Sequence, residues 1–284
     1  MNILIFSQHF WPEIFRINET AKELSKKNNV YVVSSWPNYN FKNNKNLFRY
    51  GFEKYQNVKI LRVPTIQRGG GGYYNIILNY LSFIIGALFI NKKKFSKIKF
   101  DAIISYATSP IYQVIPAIVF SKRYKVPLFL WIQDLWPEVI KDLNIIKNKY
   151  MLYLLKKSVH FLYNRCDYLL AQSPKTKKIL EKNFKNTFLA YNPTNLNKFK
   201  RFRTKRKKIK KIVFAGNVGK AQALEKLIYF GKIIKKFNIK IEFEIIGEGS
   251  NKKNLIDLVS KEGLKNIIIF KKKMQLKTLE RYLL

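Results

Sequence analysis

Short apolar runs rich in β-branched residues alternate along this chain with longer amphipathic stretches, the pattern of βαβ units around a parallel sheet. The runs predict strands over 3–7, 30–34, 58–63, 101–105, 128–133, 168–171 and 187–190. Helices are expected between them, over 13–27, 74–95, 111–124, 151–164 and 174–183. Residues 128–133 are apolar on both alternating faces, as in a strand covered on both sides. Pro174 suits a first helical position, where the N–H it lacks would be an orphan anyway. Over 197–211 the periodicity gives way to Lys and Arg broken by Phe199 and Phe202. Like charges keep such a segment extended and solvated, so it reads as a linker. A second run follows, with strands over 212–215, 241–246 and 267–270 and helices over 221–237 and 251–261. The expected organisation is two α/β domains, 1–196 and 212–284, joined by the basic linker. A three-strand open sheet buries little surface. The second domain therefore either leans on the first or is cut short.

Length and composition narrow the classes. The 284 residues fit two domains at about 150 residues each. A hydrophobic share of 47 % and an aromatic share of 15 % exclude wholesale disorder. The single cysteine, Cys166, excludes a disulfide framework and a zinc site built from several cysteines. Residues 1–6 carry no basic leader and read as a first strand, which points to the cytoplasm. The net charge of +38 has three sources to choose from. They are phosphate binding on nucleic acid, attraction to an anionic membrane surface, and a compositional bias toward Lys, Asn and Ile. Basic residues are spread over nearly every helix and loop, which favours the last two. Residues 76–90 are almost uniformly apolar, short of the roughly 20 needed to span a bilayer. Lys92, Lys93, Lys94, Lys97 and Lys99 follow, as expected of an interfacial helix beside anionic lipid; a buried core helix is the alternative.

Candidate chemistry gathers where strands end. In Phe214-Ala215-Gly216-Asn217-Val218-Gly219-Lys220-Ala221-Gln222 a strand meets a Gly-x-x-Gly turn and an expected helix. Glycines let backbone amides approach a ligand, and a helix amino terminus favours phosphate. Lys220 and Gln222 add a charge and a donor. An ordinary tight βα turn is the other reading. Gly247-Glu248-Gly249 ends the next strand in the same way, and two such turns on adjacent strands converge where α/β sheets bind nucleotides. No Gly-x-Gly-x-x-Gly occurs, which disfavours hydride chemistry. In the first domain, Asp134 and Glu138 follow the buried strand between Trp131 and Trp136. Asp134 is placed to handle a substrate hydroxyl proton, or else caps the following turn. His9, Glu13, Arg16 and Asn18 share the first βα loop with aromatic residues and suit sugar or pyrophosphate contacts, although a lone loop histidine is more often a surface residue. Arg68 and the glycines 69–72 form a loop that closes over a ligand or simply connects.

At these residues the sequence resembles the family 4 glycosyltransferases of the two-Rossmann (GT-B) fold, and most of all the subgroup that builds bacterial surface polysaccharides, with its L-fucosamine and colanic acid transferases. The resemblance rests on Gln8-His9-Phe10-Trp11-Pro12-Glu13 with Arg16-Ile17-Asn18, Val63-Pro64 with Arg68-Gly69, and Leu78-Asn79-Tyr80-Leu81-Ser82-Phe83. It continues through Gln133-Asp134-Leu135-Trp136-Pro137-Glu138, Arg165-Cys166-Asp167 with Gln172-Ser173, Tyr191-Asn192-Pro193 and the two glycine turns. It implies a GT-B α/β fold of two Rossmann-like doubly wound parallel-sheet domains, the second incomplete. Residues 1–196 are the acceptor side and 212–284 the nucleotide-sugar side. The implied reaction is transfer of a sugar from a UDP- or GDP-sugar to a polyprenyl-diphosphate-linked saccharide, with retention and without a metal or other cofactor. It would take place on the inner face of the plasma membrane, with an anionic membrane surface and no nucleic acid as partner. Asp134 and Gln133 are the implied catalytic pair, Gln133 standing where many members carry His. Gly216, Asn217, Gly219, Lys220, Gln222, Gly247, Glu248 and Gly249 are the implied donor site. Asn217 and Gln222 replace the family's Arg and Lys, leaving the leaving diphosphate to amides, a helix dipole and Lys220. His9, Glu13, Arg16, Asn18, Arg68, Gly69 and Glu138 are the implied acceptor site. The family's paired glutamates fall beyond Leu284, so the chain reads as truncated. An inactive remnant and a basic nucleic-acid-binding protein are the alternative readings.

Overall fold

The structure is a computed structural model and describes residues 1–38, 48–68, 73–91, 94, 95, 97–193 and 211–283. The chain divides into two compact units, Met1–Thr194 and Asn195–Leu284. The expected linker lies outside the described residues except for Lys211, and so does the glycine loop 69–72.

The first unit contains β1 (Asn2–Phe6), α1 (Arg16–Leu24), β2 (Asn29–Ser35), β3 (Gly51–Tyr55), β4 (Val58–Val63), α2 (Tyr73–Leu88) and β5 (Ala102–Ala107). It continues with α3 (Ile115–Tyr124), β6 (Leu128–Ile132), α4 (Glu138–Asp142), α5 (Lys149–Tyr163), β7 (Tyr168–Ala171), α6 (Pro174–Leu180) and β8 (Thr187–Leu189). Its sheet runs β3-β4-β2-β1-β5-β6-β7-β8, parallel throughout except for β3, which pairs antiparallel with β4. Alternate residues of a strand face opposite sides. Leu4 and Phe6 of β1 accordingly join Phe83, Phe120 and Leu162 in one cluster, while Ile3 and Ile5 join Ile17, Ala21 and Trp131 in another. Because β1 lies between β2 and β5, and the chain leaves it in both directions, the loops after β1, β5 and β6 share one sheet edge at a topological switch point.

Several expected bounds change. The hairpin β3–β4 replaces a plain loop before residue 58, with Gln56 turned at φ 53°. The first helix starts only at Arg16, because residues 11–15 form the turn that carries Glu13. The helix expected over 111–124 opens with a 3₁₀ turn, Ile111–Val114. Helix α2 ends at Leu88, and it is not a core helix. Asn79, Phe83 and Ala87 are buried, but Ile77, Leu78, Leu81 and Ile85 are exposed, as is Phe89 just past its end. None of the described helices is long and apolar enough to cross a membrane.

The second unit contains β9 (Lys211–Ala215), α7 (Lys226–Lys236), β10 (Glu242–Ile246), α8 (Lys252–Lys261), β11 (Ile268–Lys271) and α9 (Leu276–Leu283). Its described strands are parallel in the order β11-β10-β9, over a core that includes Val218, Phe243, Ile245, Leu255 and Leu264. Helix α9 is tied to the sheet through a buried charge. The Tyr282 hydroxyl donates to Glu244, and Lys211 and Lys271 lie 2.9 and 3.1 Å from the same carboxylate. The helix expected from residue 221 is instead a 3₁₀ turn, Lys220–Gln222, followed by a left-handed residue, Ala223 at φ 48°; α7 begins at Lys226. The dipole of α7 therefore starts well past the glycine turn.

Candidate functional site

Gln8, His9, Phe10 and Glu13 of the loop after β1 are buried, while Trp11 and Ile14 are exposed, and the loop is held from several strands. His9 is 5 % exposed, so it is not the surface histidine that its loop position suggests. Its Nδ1 lies 2.8 Å from Glu13 Oε2, and its ring stacks on Phe15 with centroids 4.9 Å apart. Glu13 Oε1 accepts from the Asn38 amide at 2.9 Å, and its carbonyl accepts from Asn18 Nδ2 at 2.6 Å. Beside them, Gln8 Nε2 donates to Asn79 Oδ1 at 2.9 Å, while Ser34 and Ser35 donate to the Gln8 carbonyl. Arg62, fully buried in β4, donates to the carbonyls of Ser35 and Trp11 and pairs with Glu53 at 2.8 Å. These bonds fix the loop from β2, β4 and α2 together.

After β6, Asp134 Oδ2 accepts from both the amide and the hydroxyl of Ser109, at 2.9 and 2.8 Å. Trp136 Nε1 donates to the same hydroxyl at 3.0 Å. The carboxylate thus clasps the loop after β5 instead of capping the turn that follows it. Tyr106, at the end of β5, lies in the field of both Arg16 and Asp134. Burial pushes its phenol up to about 12, Arg16 opposing and Asp134 adding to the shift. Arg16, Tyr106 and Asp134 therefore share one neighbourhood. Gln133 belongs to an amide cluster: Asn192 Nδ2 donates to Gln133 Oε1 at 2.8 Å and to Gln172 Oε1 at 2.9 Å, and Gln172 Nε2 donates to the Gln133 carbonyl.

Buried polar atoms are almost always paired, and exceptions call for a reason. Seven buried side-chain atoms have no hydrogen-bond partner among the described residues. Ser105 Oγ lies inside a strand. Gln8 Oε1, Thr65 Oγ1, Gln133 Nε2 and Asn192 Oδ1 lie within three residues of the carboxyl ends of β1, β4, β6 and β8, while Asn18 Oδ1 and Glu138 Oε2 sit in the first turns of α1 and α4. Unused hydrogen-bonding capacity is concentrated on the edge where α/β sheets take ligands.

Glu138 and Arg68 have neighbours on α5 and α2. Glu138 opens α4, and its charge acts on His160 and Tyr163 of α5. Arg68 places its guanidinium 5.8 Å from the Tyr80 ring centroid on α2. Gly69 is outside the described residues.

In the second unit the two glycine turns lock onto each other. Gly216 N donates to the Ile246 carbonyl at 3.0 Å, Val218 N to Glu248 at 2.9 Å, and Asn251 N to Val218 at 3.0 Å. A Cβ on Gly247 would overlap the Gly216 carbonyl oxygen, and one on Gly249 would overlap the Val218 backbone. These two glycines are required by the approach of one turn to the other, whatever else they do. Gln222 Oε1 accepts from the Gly219 amide at 3.1 Å. Glu248 pairs with Lys252 at 2.7 Å, and Lys252 also donates to the Gly247 carbonyl at 2.8 Å. The amides of Asn217, Lys220 and Ala221 have no acceptor among the described residues, and Gly216, Asn217 and Lys220 are exposed.

Sequence reasoning singled out neither Ser109, Asn38 nor Lys252. Each meets its partner across the fold or on a later turn. Only the position of Ser109 just past a strand was a signal.

No protein-family model matches this sequence, and no curated protein matches it. Solved structures do. TarM superposes with a TM-score of 0.61 at 11 % identity, over 98 % of this chain and 78 % of that one. The apo form of the lipopolysaccharide outer core galactosyltransferase WaaB gives 0.59 at 14 % identity, over 98 % and 70 %. An E. coli trehalose-6-phosphate structure bound with UDP-2-fluoro glucose gives 0.63 at 10 % identity, over 98 % and 75 %. At these identities the likeness is one of fold, and the fold is the α/β GT-B architecture.

Proposed function

We propose that this chain is a glycosyltransferase that moves a sugar, with retention, from a UDP- or GDP-sugar to a polyprenyl-diphosphate-linked saccharide. On this reading it works in surface polysaccharide synthesis, at the cytoplasmic face of an anionic membrane. The observation that carries the reading is the polar cluster past β5 and β6, where Ser109 holds Asp134 and Asn192 joins Gln133 to Gln172. Asp134 takes the proton-handling role beside Arg16 and Tyr106, with Ser109 orienting its carboxylate. In the second unit, the amides of Asn217, Lys220 and Ala221 and the Lys220 ammonium meet the charge of the leaving diphosphate. No metal is assigned a role. The dipole of α7 is not part of this arrangement, since that helix starts at Lys226. Exposed Tyr150, Met151, Leu154 and Phe161 on α5, among Lys149, Lys156 and Lys157, support membrane attachment.

Nucleotide binding is the first test. A ligand at a hundredfold its Kd stabilises a protein by about 2.7 kcal/mol, which raises the melting point of so small a unit by roughly 10 °C. UDP or GDP is expected to do so for the parent and less for Lys220→Ala. A melting point unmoved by either nucleotide at millimolar concentration overturns the reading.

A further inference from the structure

An apolar groove of about 470 Å³ runs along the first unit between α2 and α4. Ile77, Leu81 and Ile84 form one wall, and Val139, Leu143 and Ile145 the other. No charged side chain lines it among the described residues. The volume falls in the range of small-molecule sites, about 300–1,000 Å³. Ile77, Leu81, Leu143 and Ile145 are 53, 48, 38 and 61 % exposed, so a row of large apolar side chains faces solvent.

Two features say what kind of molecule fits. Ser109 lines the groove with its neighbour Pro110, and the Ser109 amide and hydroxyl hold Asp134. The groove is therefore continuous with the neighbourhood of the proposed reaction. Tyr80 also lines it, and the Arg68 guanidinium lies 5.8 Å from that ring. An apolar trough with the Arg68 cation near one lining ring and the Asp134 neighbourhood at one side complements an amphiphile with an anionic head and a hydrocarbon chain.

We propose that this groove holds the first part of the hydrocarbon tail of the acceptor, a lipid diphosphate. The identity of that lipid as an acceptor rests on the transferase reading above. The protein then grips the tail itself, and the Asp134 neighbourhood receives the head.

Farnesyl diphosphate is the probe, followed by tryptophan fluorescence with Trp136→Phe to assign the signal. The parent is expected to bind it at least tenfold more tightly than Leu81→Gln or Ile77→Gln, and far more tightly than it binds inorganic diphosphate. Both substitutions are at half-exposed positions, and circular dichroism confirms the fold. Equal affinity for inorganic diphosphate, or variants that bind like the parent, overturns the proposal. So does binding of phosphatidylglycerol vesicles that falls in both variants while farnesyl diphosphate binds to none of the proteins, because the face is then a membrane surface. If the probe binds as expected but no nucleotide sugar supports transfer, the groove stands and the transferase reading falls. If a tailless saccharide is as good an acceptor as the tailed one and the variants bind the probe like the parent, the groove assignment falls and the transferase reading stands.

Discussion

Replacing Gly247 with alanine puts a Cβ where the Gly216 carbonyl oxygen already is, at a backbone φ of +155° that side chains rarely adopt. The β9 and β10 turns must then separate. That loosens the bonds from Gly216 N to the Ile246 carbonyl and from Val218 N to the Glu248 carbonyl. Two net hydrogen bonds at about 1 kcal/mol each, plus about 1–3 kcal/mol of backbone strain, give a loss of roughly 3–5 kcal/mol. Domains hold about 0.05–0.15 kcal/mol per residue, so a unit the size of Asn195–Leu284 loses a large part of its stability. Calorimetry on the full chain is expected to show one transition falling by roughly 12 °C or more while the other stays in place. Gly216→Ala is the control. Its Cβ would meet only the Phe214 ring, at 3.3 and 3.6 Å, and a shift of no more than a few degrees is expected. A Gly247→Ala protein that melts like the parent would refute the claim that turn-on-turn packing demands these glycines.

Asp134→Asn should lower sugar transfer by about a hundredfold or more while removing only about 1 kcal/mol of stability through weaker hold on Ser109; rate assays and urea melts separate the two. Arg62→Met should destabilise the first unit by about 3–5 kcal/mol in urea titrations, because Glu53 and the carbonyls of Ser35 and Trp11 lose a buried cation. For Glu244, burial pushes the carboxyl up, but hydrogen bonds from Tyr282, Lys211 and Lys271 outweigh it and hold it at about 2, below the ordinary 4.5. A depressed folded-state value stabilises fully above about pH 4.5 and is lost as pH falls toward 2. Urea melts across that window should show a shallower acid decline in Glu244→Gln than in the parent.

The alternation of apolar runs and amphipathic stretches made the parallel sheets legible, because strands covered on both faces leave nearly continuous apolar runs such as 128–133. The edge strand β3 escaped notice for the opposite reason. Gly51-Phe52-Glu53-Lys54-Tyr55 has no apolar run, and its place depends on pairing with β4. Arg62 was equally opaque. A charged residue in a strand reads as outward-facing, yet its partners sit on β3, after β1 and in β2. Of the site, Asp134, Gln133 and the His9–Asn18 loop were visible as polar residues at strand ends. The bond of Asp134 to Ser109 and that of Glu13 to Asn38 are tertiary facts that spacing does not encode. The glycine turns show the limit of motif reading most clearly: Gly247 and Gly249 look like a ligand cradle in sequence, and their first obligation is to another backbone.

Sugar transfer itself is the most direct measurement. The purified chain is incubated with radiolabelled UDP- and GDP-sugars and with polyprenyl-diphosphate-linked saccharides in phosphatidylglycerol vesicles, and label in the lipid fraction is counted. Label that accumulates with the parent and drops at least a hundredfold with Asp134→Asn is the predicted result. Label that never leaves the nucleotide with any donor and acceptor pair, or that moves equally well with Asp134→Asn, contradicts the account.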